Sequence, residues 1–200
     1  KYLEAALGLA ERMLSQFWDD TSGGFFYTST DHETLIARNK ETHDNATPSG
    51  NSLAATALLK LARLTGRTDL EEKAVATLEM MSGLMNRIPL AAGQSLIALD
   101  FLLGPTHEVV VVERSQESGD RSQKEELDIL SRLHRRFVPN KVVHRRDASI
   151  ADEQLPPATR AMLSGKGGSQ DQAVVYLCQM GVCGVPLLGV EQIEEGLSRL

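Results

Sequence analysis

The sequence predicts a mainly α-helical chain in two parts, helical hairpins followed by a small α/β subdomain. Three observations carry that expectation. Apolar residues recur at a helical 3.6-residue period through most of the first half; the run "EVVVVE", Glu108 to Glu113, shows no polar alternation; and Gly104-Pro105 separates the two patterns. The parts are then residues 1–104 and 105–200.

The first helix carries its stripe at Leu3, Leu7, Ala10 and Leu14. The chain opens without an initiator Met and already in helical phase, which reads as a fragment of a larger protein with its N-terminal part elsewhere. "GGFFYTS", the polar turn "TDHE" and "TLIARN" follow as strand, turn and strand, a β-hairpin. A second helix runs from Leu53 to Leu64, with Leu53, Ala57, Leu58 and Leu61 on its buried face, and Thr65-Gly66 stops it because glycine accepts the left-handed conformation there. Thr68 and Glu71 form a capping-box pattern for a third helix, whose stripe is Ala74, Leu78, Met81 and Met85. The fourth, Leu90 to Leu103, is apolar on nearly every side and should be covered all round. That helix and the Leu3 to Leu14 stripe are expected to pack against helices outside this chain.

In the second part, "EVVVVE" reads as a strand buried on both faces of a parallel sheet. An amphipathic helix from Ser122 to Phe137, the strand "KVVHR", the strand "AVVYLC" and a helix from Val190 to Leu200 complete a β-α-β unit with a further crossover.

Bulk properties exclude several classes. Of 200 residues 42% are hydrophobic and 24% charged, with a formal net charge of −6, which disfavours non-specific binding to nucleic acid or an anionic membrane. The basic runs "RLHRRF" and "HRRD" read as solvated faces. No apolar run approaches the ~18 residues of a membrane span, and no leader is visible, so a soluble, cytoplasmic protein is expected.

Several apparent motifs fail on spacing. "SGKGGS", Ser164 to Ser169, matches neither the Walker A loop nor the dinucleotide-binding fingerprint. Cys178 and Cys183 are spaced C-x-x-x-x-C, unlike a redox dithiol or a zinc half-site; a tight turn at Gln179 to Val182 could bring them within disulfide reach, but two reduced structural thiols are the expectation. No metal and no cofactor is implied. A triad of Ser49, His43 and Asp44 is disfavoured because triads draw on distant segments.

The remaining feature is "KETHDNATPSGNS", Lys40 to Ser52. Asn45, Ser49, Asn51 or Ser52 could cap the next helix, with Pro48 and Gly50 setting the turn. Capping leaves unexplained the crowding of Arg38, Lys40, Glu41 and Asp44, where a carboxylate beside cations stays ionised and can serve as base or hydroxyl acceptor.

Two patterns frame this loop: F-W-D…G-G-F-F-x-[ST] at Phe17, Trp18, Asp19, Gly23, Gly24, Phe25 and Phe26, and R-x-K-x-x-x-D-x-A-x-P-S-x-N-S from Arg38 to Ser52. With "PNKVV" and "YLCQMGVCGVP" further on, the chain resembles the thioredoxin-domain-containing family of spermatogenesis-associated thioredoxin-like proteins and their bacterial relatives. The resemblance implies a thioredoxin-like domain outside this chain, then part of an α/α toroid similar to six-hairpin glycosidases and N-acylglucosamine 2-epimerases, then a small α/β tail. By analogy with such toroids, a small carbohydrate is the implied partner. Asp44 is then the expected catalytic centre with Glu41 as its sequence neighbour, and Arg38, Lys40, Ser49, Asn51 and Trp18 are expected to bind substrate. The alternative is a non-catalytic scaffold serving the thioredoxin-like domain in thiol handling or protein interaction. A funnel with a second carboxylate facing Asp44 would favour the first reading, and a filled surface the second.

Overall fold

The computed structural model describes residues 1–33, 36–113, 129–169 and 172–200. Together they form a mixed α/β fold in two compact units, Lys1–Ala62 with Arg67–Gly104, and Arg63–Gly66 with Pro105–Leu200. No described helix is long and apolar enough to cross a membrane.

The first unit is helical: α1 (Tyr2–Phe17), α2 (Gly50–Thr65), α3 (Thr68–Arg87), a 3-10 turn (Pro89–Ala91) and α4 (Gly93–Leu103). Helix α2 stops where the sequence predicts, with Gly66 at φ +73°. The buried apolar side chains of α2 are Ala54, Ala55, Leu58, Leu59, Leu61 and Ala62, so Leu58 and Leu61 of the expected face are buried, whereas Leu53 is half exposed and Ala57 exposed. From Leu53 to Ala62 only Thr56 and Lys60 are polar, so two adjacent stripes fit the period and packing chooses between them. Helix α3 begins at Thr68 with Arg67 at the cap position and no side-chain cap, because a guanidinium offers no acceptor; Arg67 bonds Asp69 and Glu11 instead. Its buried stripe is Leu70, Ala74, Leu78 and Met81. Helix α4 buries Ser95, Ala98 and Phe101, but Ile97 and Leu103 are exposed, as is Leu90 in the preceding turn. All-round cover is therefore absent among the described residues.

The expected β-hairpin is replaced by an irregular segment. Thr34 and Leu35 lie outside the described residues; among the others a single bridge, Trp18 to Phe25, and one bond from the Tyr27 N–H to the Asn39 carbonyl stand in for a ladder. Side chains claim the backbone groups that a ladder would use: Asn51 bonds both the N–H and the carbonyl of Phe25, and Arg38 donates to the carbonyl of Thr28.

The second unit is built on strands β1 (His107–Glu113), β2 (Lys141–Asp147), β3 (Val174–Gln179), β4 (Val182–Cys183) and β5 (Leu187–Leu188), with sheet order β2-β1-β3-β4 and β5 also on β3. Its helices are α5, described over residues 129–135, α6 (Pro157–Leu163) and α7 (Gly189–Ser198). The expected start of α5 at Ser122 lies outside the described residues. Strand β1 is buried on both faces as its valines predict: Val109 and Val111 pack with Ile129, Leu133, Ile193 and Leu197, while Val110 and Val112 pack with Leu155 and Leu163. The sheet is mixed, not parallel throughout. β2 runs parallel to β1, but β3 is antiparallel to it, because a β-branched run encodes burial and not direction. β3 and β4 form a hairpin across Met180-Gly181, at φ +50° and +76°, the signs of a type I′ turn.

Cys178 and Cys183 are joined in a disulfide, with Cα atoms 3.9 Å apart. This overturns the expectation of two reduced thiols. The hairpin register sets the cysteines directly opposite each other, which a C-x-x-x-x-C spacing does only when the two central residues form the turn.

Candidate functional site

The loop before α2 is organised by Asp44. Ser49 occupies the cap position of α2, and its hydroxyl accepts the Ser52 N–H at 3.2 Å. Asp44 Oδ1 accepts the Ser49 N–H and the Ser52 hydroxyl, each at 2.8 Å, while Oδ2 accepts the N–H of Gln94, in the first turn of α4, at 2.7 Å. The Asp44 N–H donates to the Ala91 carbonyl at 2.8 Å. One carboxylate thus serves the N-terminal turns of two helices, where dipoles and unsatisfied N–H groups favour negative charge. Burial alone would raise its pKa, but the hydrogen bonds from Ser49, Ser52 and Gln94 outweigh that and hold Asp44 below the ordinary carboxylate range.

Asn51, nearly fully buried, binds the irregular segment to α2. Its Oδ1 accepts the Phe25 N–H at 2.6 Å, and its Nδ2 donates to the carbonyls of Phe25 at 2.9 Å and Glu41 at 2.8 Å. Gly24 lets the segment come that close: it sits at φ +76°, and a Cβ there would lie 2.9 Å from Asn51 Oδ1 and 2.4 Å from Met80 Cε.

The cations do not flank Asp44, contrary to expectation. Lys40 pairs with Asp19 at 2.6 Å and also donates to Ser22 Oγ and the Gly23 carbonyl. That bond from Lys40, with others from Ser22 and Thr21, keeps Asp19 strongly acidic. Arg38 donates to the Thr28 and Gln16 carbonyls and lies over the Phe26 ring, 4.1 Å from its centroid. Trp18 meets Phe25 edge-on at 5.1 Å and carries the Lys73 ammonium over its ring at 4.3 Å, so it belongs to the scaffold of the segment. Among the expected residues, Asp44, Ser49 and Asn51 therefore share one bonded cluster through the α2 N-terminus, whereas Arg38, Lys40 and Trp18 belong to another.

Beside Asn51 lies an open cleft of about 250 Å³. Met13 and Phe17 of α1, Phe25, Phe26 and Tyr27 of the segment, and Ala54 of α2 supply apolar walls, and Glu41 and Asn51 supply polar ones. Glu41 and Tyr27 are exposed, and the Glu41 carboxylate has no hydrogen-bond partner among the described residues. Asp44 does not line the cleft, and the partners of its carboxylate are N–H and O–H donors, not a second carboxylate. Among the described residues no group of three His, Cys, Asp or Glu side chains could hold a metal ion.

Asp19, Phe26 and Tyr27 are the residues that sequence reasoning left out of the site. The first two stand in the F-W-D and G-G-F-F patterns, so the signal was present; the pairing of Asp19 with Lys40 across the segment was not.

No family model matches the chain. It is similar to spermatogenesis-associated protein 20 of Homo sapiens, 33% identical over 190 residues that make up 93% of this chain and 23% of that protein. The Rattus norvegicus protein of the same name is also 33% identical over 190 residues. An uncharacterized protein of Caenorhabditis elegans is 28% identical over 200 residues, 98% of this chain and 25% of the relative. The chain thus spans about a quarter of the length of the curated relatives it matches.

Proposed function

We propose that this chain is part of a protein of the spermatogenesis-associated protein 20 type, and that its helical unit binds a small carbohydrate in the cleft beside Asn51. The single observation that carries this is the composition of the cleft, in which Phe26 and Tyr27 stand beside the carboxylate of Glu41, unpartnered among the described residues. Aromatic faces take up the C–H faces of a sugar ring, and a carboxylate accepts from paired hydroxyls, so the combination suits a hydroxyl-rich ring better than a purely apolar ligand. The α/α toroid implied by the family resemblance, with a thioredoxin-like domain elsewhere in the longer protein, is consistent with such a cleft at the end of a helical pair.

The role is binding. Asp44 has its oxygens engaged by three donors and serves as a positioning residue for the two helix starts, so general acid-base work is assigned to no residue of this chain. The scaffold reading has one observation in its favour: Arg38, Lys40, Asp44, Ser49 and Asn51 all direct their polar atoms into the protein.

Titration of the chain with glucose, mannose, N-acetylglucosamine and maltose, followed by NMR of the aromatic side chains, separates the two. Saturable shifts at Phe26 and Tyr27, weakened at least several-fold in Glu41→Gln and Tyr27→Ala, are expected. No saturable shift with any of the four sugars would overturn carbohydrate binding and leave the scaffold.

A further inference from the structure

We propose that Cys178–Cys183 is a redox-active disulfide that exchanges with a protein dithiol at the tip of the β3–β4 hairpin. This is a chemistry of the sheet unit, independent of the cleft in the helical unit.

Four observations converge. The bond spans a hairpin already closed by its turn, since Gln179 and Val182 pair across Met180-Gly181 and the Gly184 N–H bonds the Leu177 carbonyl. A cross-link over so short a loop removes little chain entropy, so the hairpin has small need of it for stability. The two cysteines are also unequal: Cys178 is 4% exposed, whereas Cys183 is only partly buried. An incoming thiolate therefore reaches Cys183, and Cys178 is the leaving sulfur. A buried carboxylate lies next in the same row, because Glu108 is the register partner of Cys178 as Cys183 is on its other side, and directly opposed antiparallel residues share a face. Glu108 is 2% exposed, and its Oε2 accepts the Gly181 N–H at 3.2 Å, which draws the carboxyl toward the turn. Finally, Met180, Val182 and Val185 surround the tip and are 74%, 76% and 85% exposed. That apolar rim suits the face of a protein better than a small hydrophilic thiol.

The exchange balances as follows. One thiol of the donor, having released its proton to solvent, attacks Cys183 Sγ. A mixed disulfide forms, the Cys183–Cys178 bond breaks, and the electron pair goes to Cys178 Sγ, which takes a proton that the Glu108 carboxylate accepts from water and passes on. The second donor thiol releases its proton and attacks the donor sulfur of the mixed disulfide, freeing Cys183 as a thiolate that takes a proton from water. Two electrons and two protons have passed from the dithiol to the disulfide, and the donor leaves oxidised.

The chain is equilibrated with thioredoxin held half reduced, quenched by alkylation and analysed by mass. A redox-active bond is found mostly as the dithiol; a structural one remains at least about ten-fold in favour of the disulfide, which would overturn the proposal. A thioredoxin variant lacking its resolving cysteine should be trapped on Cys183, and an adduct on Cys178 would overturn the assignment of the attacked sulfur. Glu108→Gln keeps an acceptor for the Gly181 N–H. It should slow reduction and reoxidation alike by about ten-fold or more while leaving their ratio unchanged, and unchanged rates would remove Glu108 from the exchange. Reduced glutathione should act more slowly than thioredoxin at equal thiolate concentration. Equal or faster reaction would overturn the protein donor.

Discussion

The two units solve the problem of ordering a chain by opposite means. In the sheet unit, strand β1 is clamped by aliphatic side chains on both faces; on the neighbouring β2, His144 and Arg146 are buried, Arg146 donating to the Leu163 and Ile150 carbonyls and to Asp152, while His144 Nε2 and Arg146 Nε lack hydrogen-bond partners among the described residues. In the helical unit, the segment from Trp18 to Ser49 contains no regular element among its described residues. It is held by side chain to backbone bonds, through Asn51 to Phe25 and Glu41, Arg38 to Thr28, and Asp44 to Ser49 and Gln94. Apolar packing is indifferent to which hydrogen bonds are made, whereas a bonded loop depends on individual atoms. The units should therefore fail under different perturbations.

Acid offers the largest contrast. Burial depresses the pKa of His144 to about 4, aided by the nearby Lys166 charge. In the unfolded chain its pKa is near ~6.5, so between ~6.5 and ~4 the unfolded state binds more protons than the folded one. Stability of the sheet unit is then full above the upper value and is lost as pH falls through this window, by about 3 kcal/mol in all. Chemical denaturation or hydrogen exchange of β1 and β2 from pH 7 to 4 should show the loss, and His144→Phe should flatten it. The histidines of the helical unit, His32 and His43, are exposed, so its amides should hold steady over the same range.

How much of this was legible follows the same division. The valine run of β1 and the spaced aliphatics of α3 announce burial because packing depends on residue class and period, both of which a sequence displays. What failed were choices among equivalents: the rotation of α2, where Leu53 and Ala54 offer adjacent stripes, and the direction of β3, on which Val174 and Val175 are silent. The candidate site was legible only as a list of members. Its bonds join Asp44 to Gln94, Asn51 to Phe25 and Lys40 to Asp19, and no local spacing encodes such pairings. The disulfide is a different case: the turn from Gln179 to Val182 that sets Cys178 opposite Cys183 was legible, but spacing is silent on whether two apposed thiols are joined.

A second break point is the amide that ties the segment to its helix. Asn51→Ala leaves the N–H and carbonyl of Phe25 and the carbonyl of Glu41 without partners, the first two beneath a buried ring. A loss of about 2 kcal/mol is expected, set by the desolvation of the orphaned groups more than by the bonds themselves. Melting and hydrogen exchange of the Phe25 amide should register it, with exchange in β1 unchanged. Asn51→Asp keeps the acceptor for the Phe25 N–H but opposes two carbonyls with a charge, so it should not rescue.

The smallest effect comes from Asp44→Asn, and it bears most directly on what the loop is for. The substituted side chain still offers a carbonyl oxygen to the Ser49 N–H and the Ser52 hydroxyl. Its NH2 group, however, would face the Gln94 N–H, donor against donor, and the charge that favours two helix starts is gone. Loss of a helix-capping acceptor costs about 1 kcal/mol, and the loss should fall on α4 more than on α2. The pH dependence has a definite sign. Because the folded pKa is depressed, the carboxylate contributes stability above the unfolded value of ~3.9 that is lost as pH falls through the folded one, so wild type and variant should converge in strong acid. A melting temperature lowered at neutral pH, converging with wild type in strong acid, together with unchanged sugar-induced shifts at Phe26 and Tyr27, is the outcome of a positioning role. If instead the full-length protein turns over a sugar and Asp44→Asn abolishes that turnover without a change in melting, the carboxylate leaves its helix starts to do chemistry. The contrast between a packed unit and a bonded one would then have mistaken an active site for a clasp.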